Sequence, residues 1–164
     1  MRNNHITWYI FRHALAIHGK NHYGDQILTA KILKSAIPSI EKMARYLTKI
    51  PSSLNFTSEI IRCVQTAAIV TRITGKEFIT DIRLNEYYRE SFAGLKERVN
   101  SWIKDMRGRK TTAVLICTHG AVVAGIKHLL IDGDFSEAQL LDYPNCGELL
   151  VIKNDFRIIN FNVS

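Results

Sequence analysis

Apolar residues recur along this chain with two different periods. Short uninterrupted runs read as strands, and stripes spaced three and four residues apart read as helices. Residues 6–11 form the first apolar run. The Gly-, Asn- and His-rich stretch that follows reads as loop. From Ser39, the segment SIEKMARYLTKI places Ile40, Met43, Ala44 and Leu47 on one stripe, and Pro38 just ahead suits a helix start. Residues 54–58, LNFTS, read as a short strand. Residues 58–75 read as a helix with Ser58 as N-cap, Glu59 in the first turn and Gly75 at the C-terminal end. Residues 77–84, EFITDIRL, are expected to form a strand and residues 85–94 a loop. The segment LKERVNSWIKDM is an amphipathic helix with Leu95, Val99, Trp102, Ile103 and Met106 on its apolar side. Residues 112–118, TAVLICT, are apolar almost throughout, as in a strand buried on both faces. HGAVVAGIKHLLI continues as a helix, and ELLVIKN and FRIINFNV close the chain as two strands around Asn154-Asp155.

Strands alternating with helices define an α/β fold: a three-layer sandwich with a mostly parallel central sheet flanked by helices. The 164 residues are 46% hydrophobic and 23% charged, which suits one globular domain over 1–164. No repeat, low-complexity tract or Pro/Gly/Ser-rich linker divides them. The start, MRNNHITWYIF, lacks the apolar core of a signal peptide, and no apolar run approaches the roughly 18 residues of a membrane span. Cys63, Cys117 and Cys146 are far apart and odd in number, so no disulfide framework is expected and a reducing cytoplasm is the simplest setting. The net charge of +7 favours anionic partners. Its basic residues are dispersed, RGRK at 107–110 being a short exception. That dispersion weights small anions over nucleic acid.

Two strands end in related residues: Phe11-Arg12-His13 and Cys117-Thr118-His119-Gly120. The carboxyl ends of strands form the ligand crevice of an open α/β sheet. A third segment, TSEIIRCVQTA, starts a helix after its own strand and carries Arg62 one turn beyond Ser58. Arg12, His13, Arg62 and His119 can therefore meet in one crevice. Arginine's planar fork suits the oxygens of a phosphate, a histidine can accept a phosphoryl group, and an acid must protonate the departing oxygen.

In order and spacing these motifs resemble the histidine phosphatase superfamily, the clan of phosphoglycerate mutases, acid phosphatases and protein phosphohistidine phosphatases. The resembling elements are Arg12-His13-Ala14, Leu28-Thr29, then Ser58, Arg62, Gln65, Thr66 and Ala67, then Arg83-Leu84-Asn85-Glu86 with Gly94-Leu95, and Thr118-His119-Gly120. The resemblance implies a phosphoglycerate mutase-like fold and a metal-independent phosphatase without cofactor. By it, His13 is the phosphorylated nucleophile, Arg12, Arg62 and His119 form the phosphate pocket, and Glu86 is the proton donor. The chain departs from the family at Ala14, Ile32, Glu59 and Glu90. The segment between Leu95 and Thr112 is too short for a large inserted lid, which argues against a mutase and for an open site.

Competing readings stand beside this one. Glu90 or Asp81 could replace Glu86 as the acid. His18 and His22 share i, i+4 spacing near His13, but no carboxylate or cysteine completes a ligand set, so no metal is expected. A tyrosine-phosphatase loop needs Arg six residues after Cys; those places hold Ile69, Val123 and Ile152. No G-x-S-x-G, G-x-G-x-x-G or G-x-x-x-x-G-K occurs. What remains is an enzyme acting on phosphorylated small molecules or on a phosphoprotein, or a phosphate-binding or regulatory protein that lacks turnover.

Overall fold

The computed structural model describes residues 5–17 and 23–162. In chain order the elements are β1 (Thr7–Arg12), α1 (Ile37–Leu47), β2 (Leu54–Thr57), α2 (Ile61–Thr74), β3 (Ile79–Thr80), α3 (Phe92–Arg107), β4 (Ala113–Thr118), α4 (Gly120–Ile131), β5 (Glu148–Ile152) and β6 (Phe156–Asn160). The six strands form one sheet in the order β3-β2-β4-β1-β5-β6. The first four are mutually parallel, and β5 and β6 add an antiparallel edge.

Side-chain alternation divides the core. On β1 and β4, Trp8, Ile10, Val114 and Ile116 pack with α3 and α4, beside Trp102 and Val123. Phe11, Leu115 and Cys117 point to the other face and pack with α1 and α2, against Ile40, Met43, Leu47 and Val70. A strand covered on both faces must be apolar at every position, and all six residues of β4 are buried. The expected three layers are therefore present. Among the described residues, no helix is long and apolar enough to cross a membrane.

Several boundaries differ from the sequence reading. The strand expected over 77–84 shrinks to Ile79–Thr80. The Asp81 side chain accepts a hydrogen bond from the Arg83 N–H and starts a short 3-10 turn over Ile82–Leu84. This local side-chain bond competes with the strand ladder, and Ile82 is left 68% exposed at the sheet's edge. Helix α2 begins at Ile61 rather than beside Ser58, although the Ser58 hydroxyl still accepts from the Ile60 N–H. Helix α3 starts inside the expected loop, at Phe92, because Ser91 caps the Gly94 N–H. The described part of the segment after β1 holds 3-10 turns at Gly24–Gln26 and Lys34–Ala36 and a bridge between Ala16 and Ile32.

Register brings the chemistry together. Arg12 pairs with Thr118 across β1 and β4, and Thr57 pairs with Cys117 across β2 and β4. The ladder runs one bond further at each end, from the His13 N–H to the Thr118 carbonyl and from the Ser58 N–H to the Cys117 carbonyl. His13, Ser58 and His119 thus leave three adjacent strands side by side.

Candidate active site

His13 is buried, with 1% of its surface exposed. Its Nδ1 lies 2.7 Å from the Ala14 carbonyl oxygen. A carbonyl only accepts, so Nδ1 carries the proton and the lone pair sits on Nε2. Burial pushes the imidazole well below its ordinary value of 6.5, and the charges of His119, Arg62 and Arg12 push the same way. His13 is therefore neutral at neutral pH. Ala14 sits where the family has glycine, yet among the described residues only Arg89 is a non-glycine with positive φ. The alanine is unstrained, and its N–H donates to Thr66 Oγ1 at 2.8 Å. Thr66 in turn donates to the Arg62 carbonyl, so the first turns of α2 hold the His13 corner.

Arg62 is fully buried. One of its terminal nitrogens donates to the Ile27 carbonyl and the other to Glu86 Oε2 at 3.0 Å. The Tyr23 ring lies over its guanidinium at 4.3 Å. The same ring meets His13 edge-on at 6.1 Å. His119, also fully buried, has its ring 5.4 Å from that of His13. The Ser58 hydroxyl donates to Asn85 Oδ1, which leaves its lone pair to accept from His119 Nε2 at 2.9 Å. Cys63 Sγ lies 3.4 Å from the same nitrogen. His119 Nδ1 faces Glu86 Oε2 at 3.3 Å, an ion-pair contact too poorly aligned to count as a hydrogen bond.

Glu86 is placed by its neighbours. Thr118 Oγ1 donates to the Leu84 carbonyl at 2.6 Å, Asn85 is latched by Ser58 and Glu59, and Arg98 donates to the Arg83 and Glu86 carbonyls. The rival carboxylates are engaged elsewhere: Asp81 with Arg83, and Glu90 with Arg98. Burial raises the Glu86 carboxyl, but the close contact and charge of His119 and the Arg62 guanidinium outweigh it and lower it to about 2. Burial alone would lower His119, but the neighbouring Cys63 and Glu86 groups raise it to about 9. At neutral pH the site thus holds a neutral His13, a charged His119 and an ionised Glu86.

Three buried N–H donors among these residues make no aligned hydrogen bond: Arg12 Nε, Arg62 Nε and His119 Nδ1, the last in ion-pair contact with Glu86. Unmatched buried donors are costly, at roughly 1–3 kcal/mol each. An anion seated among them would remove that cost. Arg12 is held from outside by the Tyr143 ring, 4.7 Å from its guanidinium carbon.

A cavity of about 770 Å³ adjoins this cluster and reaches it through Arg12, Tyr23 and Glu86. His13, Arg62 and His119 are buried, and the turn at 23–29 lies against Arg62 through the Tyr23 ring and the Ile27 carbonyl. The structure brings together Arg12, His13, Arg62, Glu86 and His119. Sequence reasoning missed Tyr23, Cys63 and Tyr143, which no spacing rule connects to the motifs. Ser58, Gln65 and Thr66 were visible in the motif, but their tasks were not. Gln65 Oε1 accepts from the Ile32 N–H and so ties the chain at Ile32 to α2. Among the described residues no group of three His, Cys, Asp or Glu could hold a metal ion; His18 and His22 lie outside them.

The mostly parallel sheet carries histidines at the ends of its two central strands, with an arginine from α2 beside them. Two comparisons bear on this arrangement. The model of the histidine phosphatase superfamily (branch 1) matches residues 85–155. Solved structures share the fold over nearly the whole chain. The alpha-ribazole phosphatase from Shigella flexneri superposes with a TM-score of 0.74 at 15% identity, covering 94% of this chain and 96% of its own. Mycobacterial glucosyl-3-phosphoglycerate phosphatase complexed with VO3 gives 0.74 at 15% identity, covering 97% and 100%. Phosphoglycerate mutase from Bacillus anthracis gives 0.70 at 12% identity, covering 94% and 92%. No curated protein matches the chain in sequence.

Proposed function

We propose that this protein is a phosphatase that hydrolyses phosphate monoesters through a phosphohistidine on His13, with no metal ion. The observation that carries this reading is the neutral His13, its Nε2 lone pair free, standing among buried Arg12, Arg62 and His119 N–H groups that make no aligned hydrogen bond. His13 Nε2 attacks phosphorus as the bond to the leaving oxygen breaks. Arg12, Arg62 and His119 supply the positive charge that a metal would otherwise give. Glu86 delivers a proton to the leaving oxygen and then takes one from the water that hydrolyses the phosphohistidine.

Glu86 is ionised in the free protein, so its acid role requires a bound substrate. A phosphate dianion claims the donors of Arg62 and His119 and adds negative charge nearby. Both effects raise the carboxyl toward the range where it holds a proton. The competing reading, a phosphate-binding protein without turnover, draws on Ala14. That residue adopts ordinary backbone, and its N–H and carbonyl both serve the site.

The first test is hydrolysis of nitrophenyl phosphate in the presence of chelator, with vanadate as inhibitor. No turnover in either chelator or added divalent metal would remove the enzyme reading. The pH profile is a second test. His13 must be neutral and His119 charged. His13 titrates well below 6.5 and His119 near 9, so kcat/KM should hold across neutral pH and fall above about 9. An alkaline limb that begins near 6.5 would mean that His119 is not held charged.

Gly120, first residue of α4, tests how Arg12 is held. A Cβ there would lie 2.5 Å from Tyr143 Cζ, so Gly120→Ala must swing the tyrosine off Arg12. The stack is worth about 0.5–1 kcal/mol, and vanadate affinity should drop a few-fold with Tm little changed. Unchanged affinity would mean that Tyr143 does not position Arg12.

A further inference from the structure

The cavity beside Arg12 has a lining unlike its phosphate end. Among the described residues, the charged side chains on its wall are Arg12 and Glu86, and both belong to the phosphate end. The rest of the wall is aromatic, aliphatic or neutral. Tyr87 and Tyr143 supply ring faces, Ile40 and Leu140 supply apolar surface, and Ser39 and Asn145 offer neutral hydrogen-bonding groups. Two of its leucines lie open to water: Leu141 is 82% exposed and Leu15 45% exposed. Large aliphatic side chains left bare at the mouth of a concave polar site suit an apolar ligand group.

We propose that the substrates of this site are phosphate monoesters of uncharged, ring-bearing small alcohols, whose apolar part is buried between Leu15, Leu141 and the tyrosines. This rests on the phosphatase reading above. A cavity of about 770 Å³ is the size that encloses a small molecule. A leaving group that bears a carboxylate or a second phosphate would enter a wall whose charged side chains, among the described residues, are Arg12 and the Glu86 carboxylate. Among the described residues it would lose hydration without gaining a cation beyond Arg12, which the reacting phosphate already occupies. A phosphohistidine on a folded protein would present a convex surface to this recess and leave most of it empty.

The experiment compares kcat/KM for three primary alkyl phosphates: 2-phenylethyl phosphate, ethyl phosphate and 3-phosphoglycerate. A phosphohistidine-bearing peptide is the fourth substrate. Burial of one ring should favour 2-phenylethyl phosphate over the other two alkyl phosphates by roughly tenfold or more. Leu141→Ser, at a site too exposed to disturb folding, should shrink that ratio by about threefold. Equal rates among the alkyl phosphates, a preference for 3-phosphoglycerate, a phosphohistidine peptide bound more tightly than 2-phenylethyl phosphate, or a ratio unmoved in both Leu141→Ser and Leu15→Ser would each overturn the proposal.

Binding separates it from the phosphatase reading. The Kd of 2-phenylethylphosphonate against ethylphosphonate, read by calorimetry, needs no turnover. If every ester resists hydrolysis but the ring-bearing phosphonate binds about tenfold tighter, the phosphatase reading fails and the ligand class stands. If all esters are hydrolysed alike and the phosphonates bind alike, the ligand class fails and the phosphatase reading stands.

Discussion

Replacing His13 by alanine is expected to abolish turnover, by roughly four orders of magnitude or more, the scale seen when a covalent nucleophile is removed. Among the described residues no neighbour can take over. His119 Nε2 is committed to Ser58, and Cys63 Sγ lies 3.4 Å from that same nitrogen and is not among the cavity's lining residues. The fold should survive. The ring's one hydrogen bond goes to the adjacent Ala14 carbonyl, whereas the strand ladder beside it is made by backbone. Circular dichroism should therefore match the parent protein. Wild-type protein quenched in neutral denaturant during turnover should carry a phosphate that is labile in acid and stable in base. Label on another residue, or activity retained in a folded His13→Ala variant, would sink the phosphohistidine mechanism.

The second large effect is expected at Glu86, and it depends on the leaving group. An alkyl phosphate expels an alkoxide-like oxygen that needs a proton; a nitrophenyl phosphate or phosphohistidine needs little help. General acid catalysis is worth typically 10²–10⁴-fold where a proton must be delivered. Glu86→Gln should therefore slow alkyl phosphates by about that factor and spare the good leaving groups. The measurement is kcat/KM across leaving groups of graded pKa. A uniform loss would make Glu86 a binding residue, consistent with its contacts to Arg62 and His119. No loss at all would shift the acid role to His119, since Asp81 and Glu90 are tied up by Arg83 and Arg98.

The same substitution removes a negative charge that helps raise His119 to about 9. The alkaline limb of the pH profile should then move to lower pH. The sign follows from the pairing: the imidazolium is favoured by an adjacent carboxylate, so loss of the carboxylate eases its deprotonation.

What the sequence determined by itself was everything governed by short spacing. The stripe of Leu95, Val99, Trp102, Ile103 and Met106 is buried throughout, as a helix of period 3.6 requires. The apolar run at 113–118 is buried at every position because the strand is covered on both faces. Arg12, His13, Arg62 and His119 were legible because each lies at a fixed distance from a strand end or a helix start, and parallel register then places those ends together; Glu86 was legible only through the family resemblance.

Tertiary structure decided the rest. The strand expected over 77–84 lost most of its length to the Asp81 side-chain bond, and an edge position offered too little burial to resist it. Tyr23 covers Arg62 through a loop path that no periodicity encodes. Tyr143 reaches Arg12 only because Gly120 leaves room for its ring. The charge states are likewise collective. A histidine alone titrates near 6.5 in any sequence, yet burial beside other cations holds His13 neutral while Cys63 and Glu86 keep His119 charged. Spacing can name two histidines, but only the neighbours that folding brings to each can make one a base and the other a cation.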